Sequence, residues 1–224
     1  MITAVIRLMN KSTLVPILCE LLDSLLKRYG YRYLKTKESY QKKAGSVRLW
    51  LMPNVTYWAS SDYCMISPRM CVHVDAVEDV LAKHASRPVD RHFGHISILS
   101  DNLEDAKFWS IRSLEEFQQQ SSEIEQVIEN VCVPILDGWS DHYSVAVAAI
   151  RNEHDSFQSE LHRLSVLFGY LCAYPGTELK TDIIKSIDLD SIASSRYQLD
   201  PYYRGILASI ADAVPEIREF VPGA

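Results

Sequence analysis

The sequence predicts an α+β protein with an N-terminal helix, a mainly antiparallel sheet, then a C-terminal set of helices. Three observations predict it. Apolar residues recur at helical spacing before Gly30, alternate with polar ones at period 2 in segments between residues 31 and 112, and return to helical spacing after Ser113. Strands follow one another without regular intervening helices, so parallel βαβ units are not expected. Residues 1–224 read as a single α+β domain, sheet-rich over 31–112 and helical over 113–214.

Ser12 or Thr13 is expected to cap the first helix, with Pro16 in the first turn, where a missing N–H is harmless. Leu14, Leu18, Leu21, Leu22 and Leu25 form its apolar stripe, and Gly30 supplies a left-handed stop. Val47, Leu49 and Leu51 alternate with Arg48, Trp50 and Met52, as in a half-buried strand, and Val55 and Tyr57 are read as its continuation past Pro53. Val72 and Val74 mark another strand, residues 77–84 a short helix, and residues 95–99 and 107–112 two further strands. Ser113 and Glu116 fit a capping box opening a helix to about residue 135. Phe117, Ile124, Val127, Ile128, Val131 and Ile135 are its expected apolar face, with the glutamates opposite. A helix from about residue 156 carries Phe157, Leu161, Leu164, Phe168 and Leu171 and stops at Pro175-Gly176. A short helix over 179–187 follows, and Asp200-Pro201 starts a last one that buries Ile206, Leu207 and Ile210.

With 224 residues, 47% of them hydrophobic, the chain can bury a well-packed core. A net charge of −6 excludes a uniformly basic nucleic-acid footprint. The charge is uneven. Residues 1–50 hold ten Lys and Arg against Glu20, Asp23 and Glu38, whereas residues 113–150 hold seven acids and no Lys or Arg. Such segregation fits either two solvated faces or an acidic patch that meets a basic partner. The cysteines, Cys19, Cys64, Cys71, Cys132 and Cys172, are odd in number and lack CxxC spacing, which fits reduced thiols in the cytoplasm. No apolar run reaches membrane-spanning length and no export signal is read at the N-terminus, so a cytoplasmic protein without a membrane partner is expected.

Motifs for chemistry are sparse. The sequence has no G-x-G-x-x-G, no P-loop and no G-x-S-x-G elbow, and no cofactor is implied. Asp90, His92 and His95 cluster in Pro88-Val-Asp-Arg-His-Phe-Gly-His95, residue types that can ligate zinc or iron. They define the alternative reading, a small hydrolase or metal-dependent enzyme. A solvated loop entering a strand explains the same residues. His154 and His162 are eight residues apart, about 12 Å of helical rise, too far to hold one ion together without other ligands. Cys64 and Cys71 lie outside the helical stripes, where burial explains them as well as nucleophilic chemistry does. Trp50, Tyr57 and Trp58 near basic residues could stack bases, but strand aromatics are ordinarily core or cross-strand pairs.

The segments Leu25-Leu-Lys-Arg-Tyr-Gly-Tyr31, Val47-Arg-Leu-Trp-Leu51, Phe108-Trp109-Ser-Ile111 and Val131-Cys-Val-Pro-Ile135, followed by the helical stretch 161–171, occur in a recognisable order. This order resembles the bacterial domain-of-unknown-function 4304 family, over residues 14–171. The resemblance implies a compact α+β protein and no catalytic residues. It also implies immunity proteins that block a toxin by occupying its surface. On that basis the expected function is a non-enzymatic, immunity-type inhibitor of a partner protein, such as a basic toxin. Glu115, Glu116, Glu123, Glu125 and Glu129 are its expected partner-binding residues.

Overall fold

A computed structural model of the chain describes residues 10–84, 96–99, 108–152, 160–187, 208 and 212. Its elements run α1 (Lys11–Arg28), β1 (Arg32–Leu34), a 3-10 turn (Lys35–Lys37), β2 (Ser39–Ala44), β3 (Val47–Met52), β4 (Val55–Trp58), β5 (Tyr63–Ile66), β6 (Arg69–Val74) and α2 (Asp75–His84). Then come β7 (Ile96–Leu99), β8 (Trp109–Ile111), α3 (Leu114–Val127), a π-helical turn (Ile128–Cys132), α4 (Val133–Gly138), α5 (His142–Arg151), α6 (Glu160–Ala173) and α7 (Lys180–Lys185). The α+β class and the order of helix, sheet and helices are those expected. One sheet has the strand order β1-β2-β3-β6-β7 and a second the order β4-β5-β8. The pairs β1–β2, β4–β5 and β5–β8 are antiparallel. Two compact units form, one from residues 1–43, 49–71 and 98–138, the other from 44–48, 72–97 and 139–224.

In the first unit, α1 is capped by Asn10 and not by Ser12 or Thr13. The Asn10 side-chain oxygen accepts from Thr13 N at 3.0 Å and from the Ser12 hydroxyl at 2.6 Å. The helix therefore starts at Lys11, and Pro16 falls in the second turn, where it cannot donate to the Ser12 carbonyl. The C-terminus closes as a Schellman motif. Tyr31 N donates to Leu26 O and Gly30 N to Lys27 O, each at 3.0 Å, with Gly30 at φ 82°.

The expected continuation of β3 through Tyr57 is corrected. Pro53 and Asn54, the latter at φ 44°, turn the chain, and β4 pairs with β5 in the second sheet. The long helix keeps its predicted Ser113 cap, with the Glu116 side of the capping box shifted by one residue to Arg112. Ser113 Oγ accepts from Glu116 N at 3.2 Å, and the Glu116 carboxylate reaches back to Arg112 N at 2.7 Å. Its apolar stripe departs from the expected one. Phe117, Ile124 and Ile128 are buried as read, but Cys132, Val133 and Leu136 take the buried positions beyond them, while Val131 and Ile135 are half-buried. The cause is Pro134, which has no N–H for the Asn130 carbonyl and crowds the preceding turn. That turn widens, Val133 N donates to Ile128 O five residues back, and the buried face advances by one residue.

In the second unit, α2 packs against α6, and α5 against α6. Leu164, Phe168 and Leu171 are buried as expected, whereas Phe157 and the final-helix residues Ile206, Leu207 and Ile210 lie outside the described residues. Helix α5 was not anticipated. Asp141 caps it, accepting from Ser144 N at 2.9 Å, and Asn152 at φ 50° ends it. The buried Arg163 side chain donates to Ala149 O at 3.1 Å and to Ser186 O at 2.7 Å, satisfying carbonyls at the ends of α5 and α7. Gly169 permits the close approach of α6 to α2, since a Cβ there would lie 2.6 Å from Val77 Cγ1.

Two outcomes follow for stability. Gly169→Ala gains up to about 1 kcal/mol of helix propensity, but displacing the stiff Val77 branch costs about 1–3 kcal/mol. Urea unfolding is expected to show a net loss, restored in part by Val77→Ala in the same chain. Asp141→Ala is expected to cost about 1 kcal/mol at pH 7. Hydrogen bonding from Ser144 N holds the Asp141 carboxyl below its ordinary range. A depressed folded pKa gives stability that is full above the unfolded value and lost as pH falls through the folded one. The difference between wild type and Asp141→Ala should therefore shrink on acidification below about pH 4, measured by denaturation at each pH.

Candidate functional site

The second sheet and its covering helices position the candidate site, all within the first unit. Its register is Val55↔Ile66, Thr56↔Met65, Tyr57↔Cys64 and Trp58↔Tyr63 between β4 and β5, and Cys64↔Ile111, Met65↔Ser110 and Ile66↔Trp109 between β5 and β8. Alternation puts Val55, Tyr57, Cys64, Ile66, Trp109 and Ile111 on one face. All of these but Tyr57 are buried. Helix α1 packs on β4 and on α3, and α3 on β8, which closes this inner face. The outer face carries Thr56, Trp58, Tyr63, Met65 and Ser110, half-buried or exposed.

Large side chains are left in solvent around this sheet. Tyr57 is 41% exposed, Trp58 46%, Phe108 56% and Leu114 47%. Tyr57 and Trp58 stand on opposite faces of β4, at the same end of the sheet as Leu114. The register ends there at Trp58↔Tyr63, and Arg112 to Glu115 follow directly from Ile111 on the neighbouring strand. The β4–β5 loop closes with Asp62 N donating to Trp58 O at 2.8 Å, Asp62 itself standing at φ 54°. The Tyr57 hydroxyl donates to Asp62 Oδ1 at 2.7 Å, and this raises the pKa of the phenol.

The five glutamates of the predicted partner-binding set divide between internal and external roles. Glu116 belongs to the capping box. Glu123 accepts from the Trp109 indole Nε1 at 3.2 Å. Glu129, in the π turn, accepts from Arg28 Nη2 at 3.4 Å and from the Tyr29 hydroxyl at 2.6 Å, and the latter bond raises the Tyr29 pKa. Glu115 is exposed and Glu125 half-buried, and neither forms an ion pair among the described residues. Of the basic strand residues, Lys42 pairs with Asp137 at 2.7 Å and Lys37 lies 4.5 Å over the Trp50 ring.

Other chemical groups have structural surroundings. Asp90, His92 and His95 lie outside the described residues, and no cluster of metal-ligating side chains occurs among the described ones. Arg48, Asp75 and Glu78 form a partly buried ion-pair network in the second unit, with His73 beside it. Arg48 Nε donates to Asp75 Oδ1 at 2.5 Å and its Nη2 to Glu78, with His73 Nδ1 3.7 Å from Glu78. It ties β3 to the first turn of α2. A groove of about 410 Å³ between α5 and α7 has Val147, Ile150 and Leu179 in its wall and rim charges of mixed sign, Arg151 and Lys185 against Asp182. No helix among the described residues is long and apolar enough to cross a membrane.

All five cysteines are present as thiols, four of them buried. Burial pushes the Cys19, Cys64 and Cys172 thiols up, and that of Cys132 to about 12. Neutral, enclosed thiols are poor nucleophiles. A maleimide reagent at pH 7 should therefore label native Cys64 and Cys132 only on the timescale of unfolding, and all five sites at once in denaturant. Rapid labelling of native Cys64 would contradict this.

No family model matches the chain, and neither a curated protein nor a solved structure matches it.

Proposed function

We propose that the chain is a non-enzymatic protein-binding protein, an immunity-type inhibitor that neutralises a basic partner toxin. The observation that carries this reading is the exposure of large side chains on one small sheet, Trp58 on its outer face and Tyr57, Phe108 and Leu114 at its margins, while helices close its inner face. Tryptophan and tyrosine are the side chains that most often anchor protein interfaces, and exposing them in isolation forfeits burial worth about 1.5–3 kcal/mol for a large apolar side chain. The neighbouring Glu115 and the cation-free segment 113–150 favour a basic partner by steering and complementarity. The resemblance to the domain-of-unknown-function 4304 family points the same way, towards inhibition by occupation of a surface.

The test is reconstitution. The chain is used to capture its partner from extract of the source cells, and the purified partner is then titrated back. A stoichiometric complex that abolishes the partner's activity, with association slowing as salt rises, supports the reading. Turnover of the captured molecule, or no stoichiometric complex, contradicts it.

A further inference from the structure

We infer that the hairpin of β1 and β2 takes an acidic, extended segment of a partner protein, which adds as a strand to the free edge of β1. This surface is separate from the exposed aromatics above, and the inference does not rest on the toxin-inhibitor reading. The Lys and Arg residues from 10 to 50 fall into two groups. Lys11, Lys27, Arg28, Lys42 and Arg48 each form an ion pair with a carboxylate. Arg32, Lys35, Lys37 and Lys43 form none among the described residues, all four are exposed, and all four lie on this one hairpin. The hairpin's own carboxylate, Glu38, is engaged by Lys11 at 3.9 Å. The register places the four cations along one strip. Arg32 stands opposite Gln41, and its Nη2 donates to Gln41 Oε1 at 3.4 Å. Lys43 is two residues beyond Gln41, so it shares that face and lies diagonal to Arg32. Lys35 and Lys37 stand in the 3-10 turn that joins the strands. From the turn at Ser39 to Lys43 the strip runs about 13 Å. The opposite face is covered by α1, where the Tyr40 hydroxyl donates to Cys19 O at 2.7 Å.

The sheet order supplies the second, independent observation. β1 is the terminal strand of the five-stranded sheet and pairs with β2 on one side only. Along its other edge the backbone N–H and C=O groups meet no strand among the described residues, and such an edge is the template on which a further strand assembles. Lysines at an edge keep two copies of that edge apart. A cationic edge therefore rejects itself and admits a strand of opposite charge. In an extended segment the side chains of one face recur every second residue, so acids at that spacing follow the strip while the backbone bonds to β1. Nucleic acid fits less well. Tyr33 packs on Tyr40 with ring centroids 5.1 Å apart, and the buried Trp50 ring lies under Lys37 Nζ at 4.5 Å, so neither ring is a free platform for a base.

The experiment titrates the whole chain with an alternating Glu-Thr octapeptide, N-acetylated and C-amidated, and is read by calorimetry. The peptide is expected to bind, and to bind more weakly as salt rises, whereas an alternating Lys-Thr octapeptide does not bind. Arg32→Gln/Lys43→Gln and Lys35→Gln/Lys37→Gln should each weaken binding about tenfold. Lys83→Gln/Lys180→Gln removes two exposed cations elsewhere and should leave the affinity within about twofold. Arg32→Lys/Lys43→Arg keeps both charges and should keep the affinity, which separates loss of charge from loss of fold. Strand addition is read by N-methylating the Glu-Thr peptide at every second residue, in each of the two phases. The phase whose N–H groups face β1 should bind about tenfold more weakly, the other little changed. Failure of the Glu-Thr peptide to bind, equal weakening by the control pair, or indifference to methylation in both phases overturns the inference. Tighter binding of an oligothymidylate of equal charge also overturns it, and assigns the strip to nucleic acid. None of these outcomes depends on the partner captured from the source cells, so failure of the inhibitor reading leaves the test intact.

Discussion

The pairing register of β4, β5 and β8 is the constraint on which the outer surface depends. A slip by one residue on a strand exchanges its two faces. In the observed register Val55, Cys64, Ile66, Trp109 and Ile111 turn inward together, and their burial beneath α1 and α3 fixes the pairing. Trp58 is then obliged to face outward. Its exposure is a consequence of burying its neighbours, which is why it can be kept free for a partner without loosening the core.

The acidic helix is held to β8 and to the C-terminal end of α1 by its own carboxylates. Exposed ion pairs contribute about 0–1 kcal/mol, so Arg28 with Glu129 adds little by itself. The hydrogen bonds from the Trp109 indole to Glu123 and from the Tyr29 hydroxyl to Glu129 matter more for placement, because they fix the helix against a buried and a half-buried aromatic. Pro134 contributes through the π turn it forces, in which Glu129 lies and beyond which Cys132 and Leu136 occupy the core. What remains for a partner is the N-terminal end of the helix, where Leu114 and Glu115 are exposed.

Much of this was legible in the sequence. The capping box, the Gly30 stop, the alternation in β3 and the stripe of α6 rest on local chemistry, and local chemistry is what a sequence displays. The misreadings have physical causes. Tyr63-Cys-Met-Ile66 is apolar throughout, so β5 shows no alternation. Pro53-Asn54 redirects the chain between sheets, yet the period continues across it. Helix α5 was announced by Asp141 and Asn152, but its Val-Ala-Val-Ala-Ala run shows no clean stripe. The five glutamates read as one charged face because an indole or a phenol donor from a distant strand or helix leaves no mark in a charge count. The exposure of Trp58 against the burial of Trp50 was beyond reach for the same reason, since both sit on strands and only the partners of those strands decide which side is covered.

The most direct test of this account is amide hydrogen exchange on the full chain with and without its captured partner. Slowed exchange at residues 57–63 and 112–116, with residues 123–132 unchanged, is the predicted result. Protection confined to residues 123–132 would contradict it, and would return the binding role to the acidic stripe of the helix.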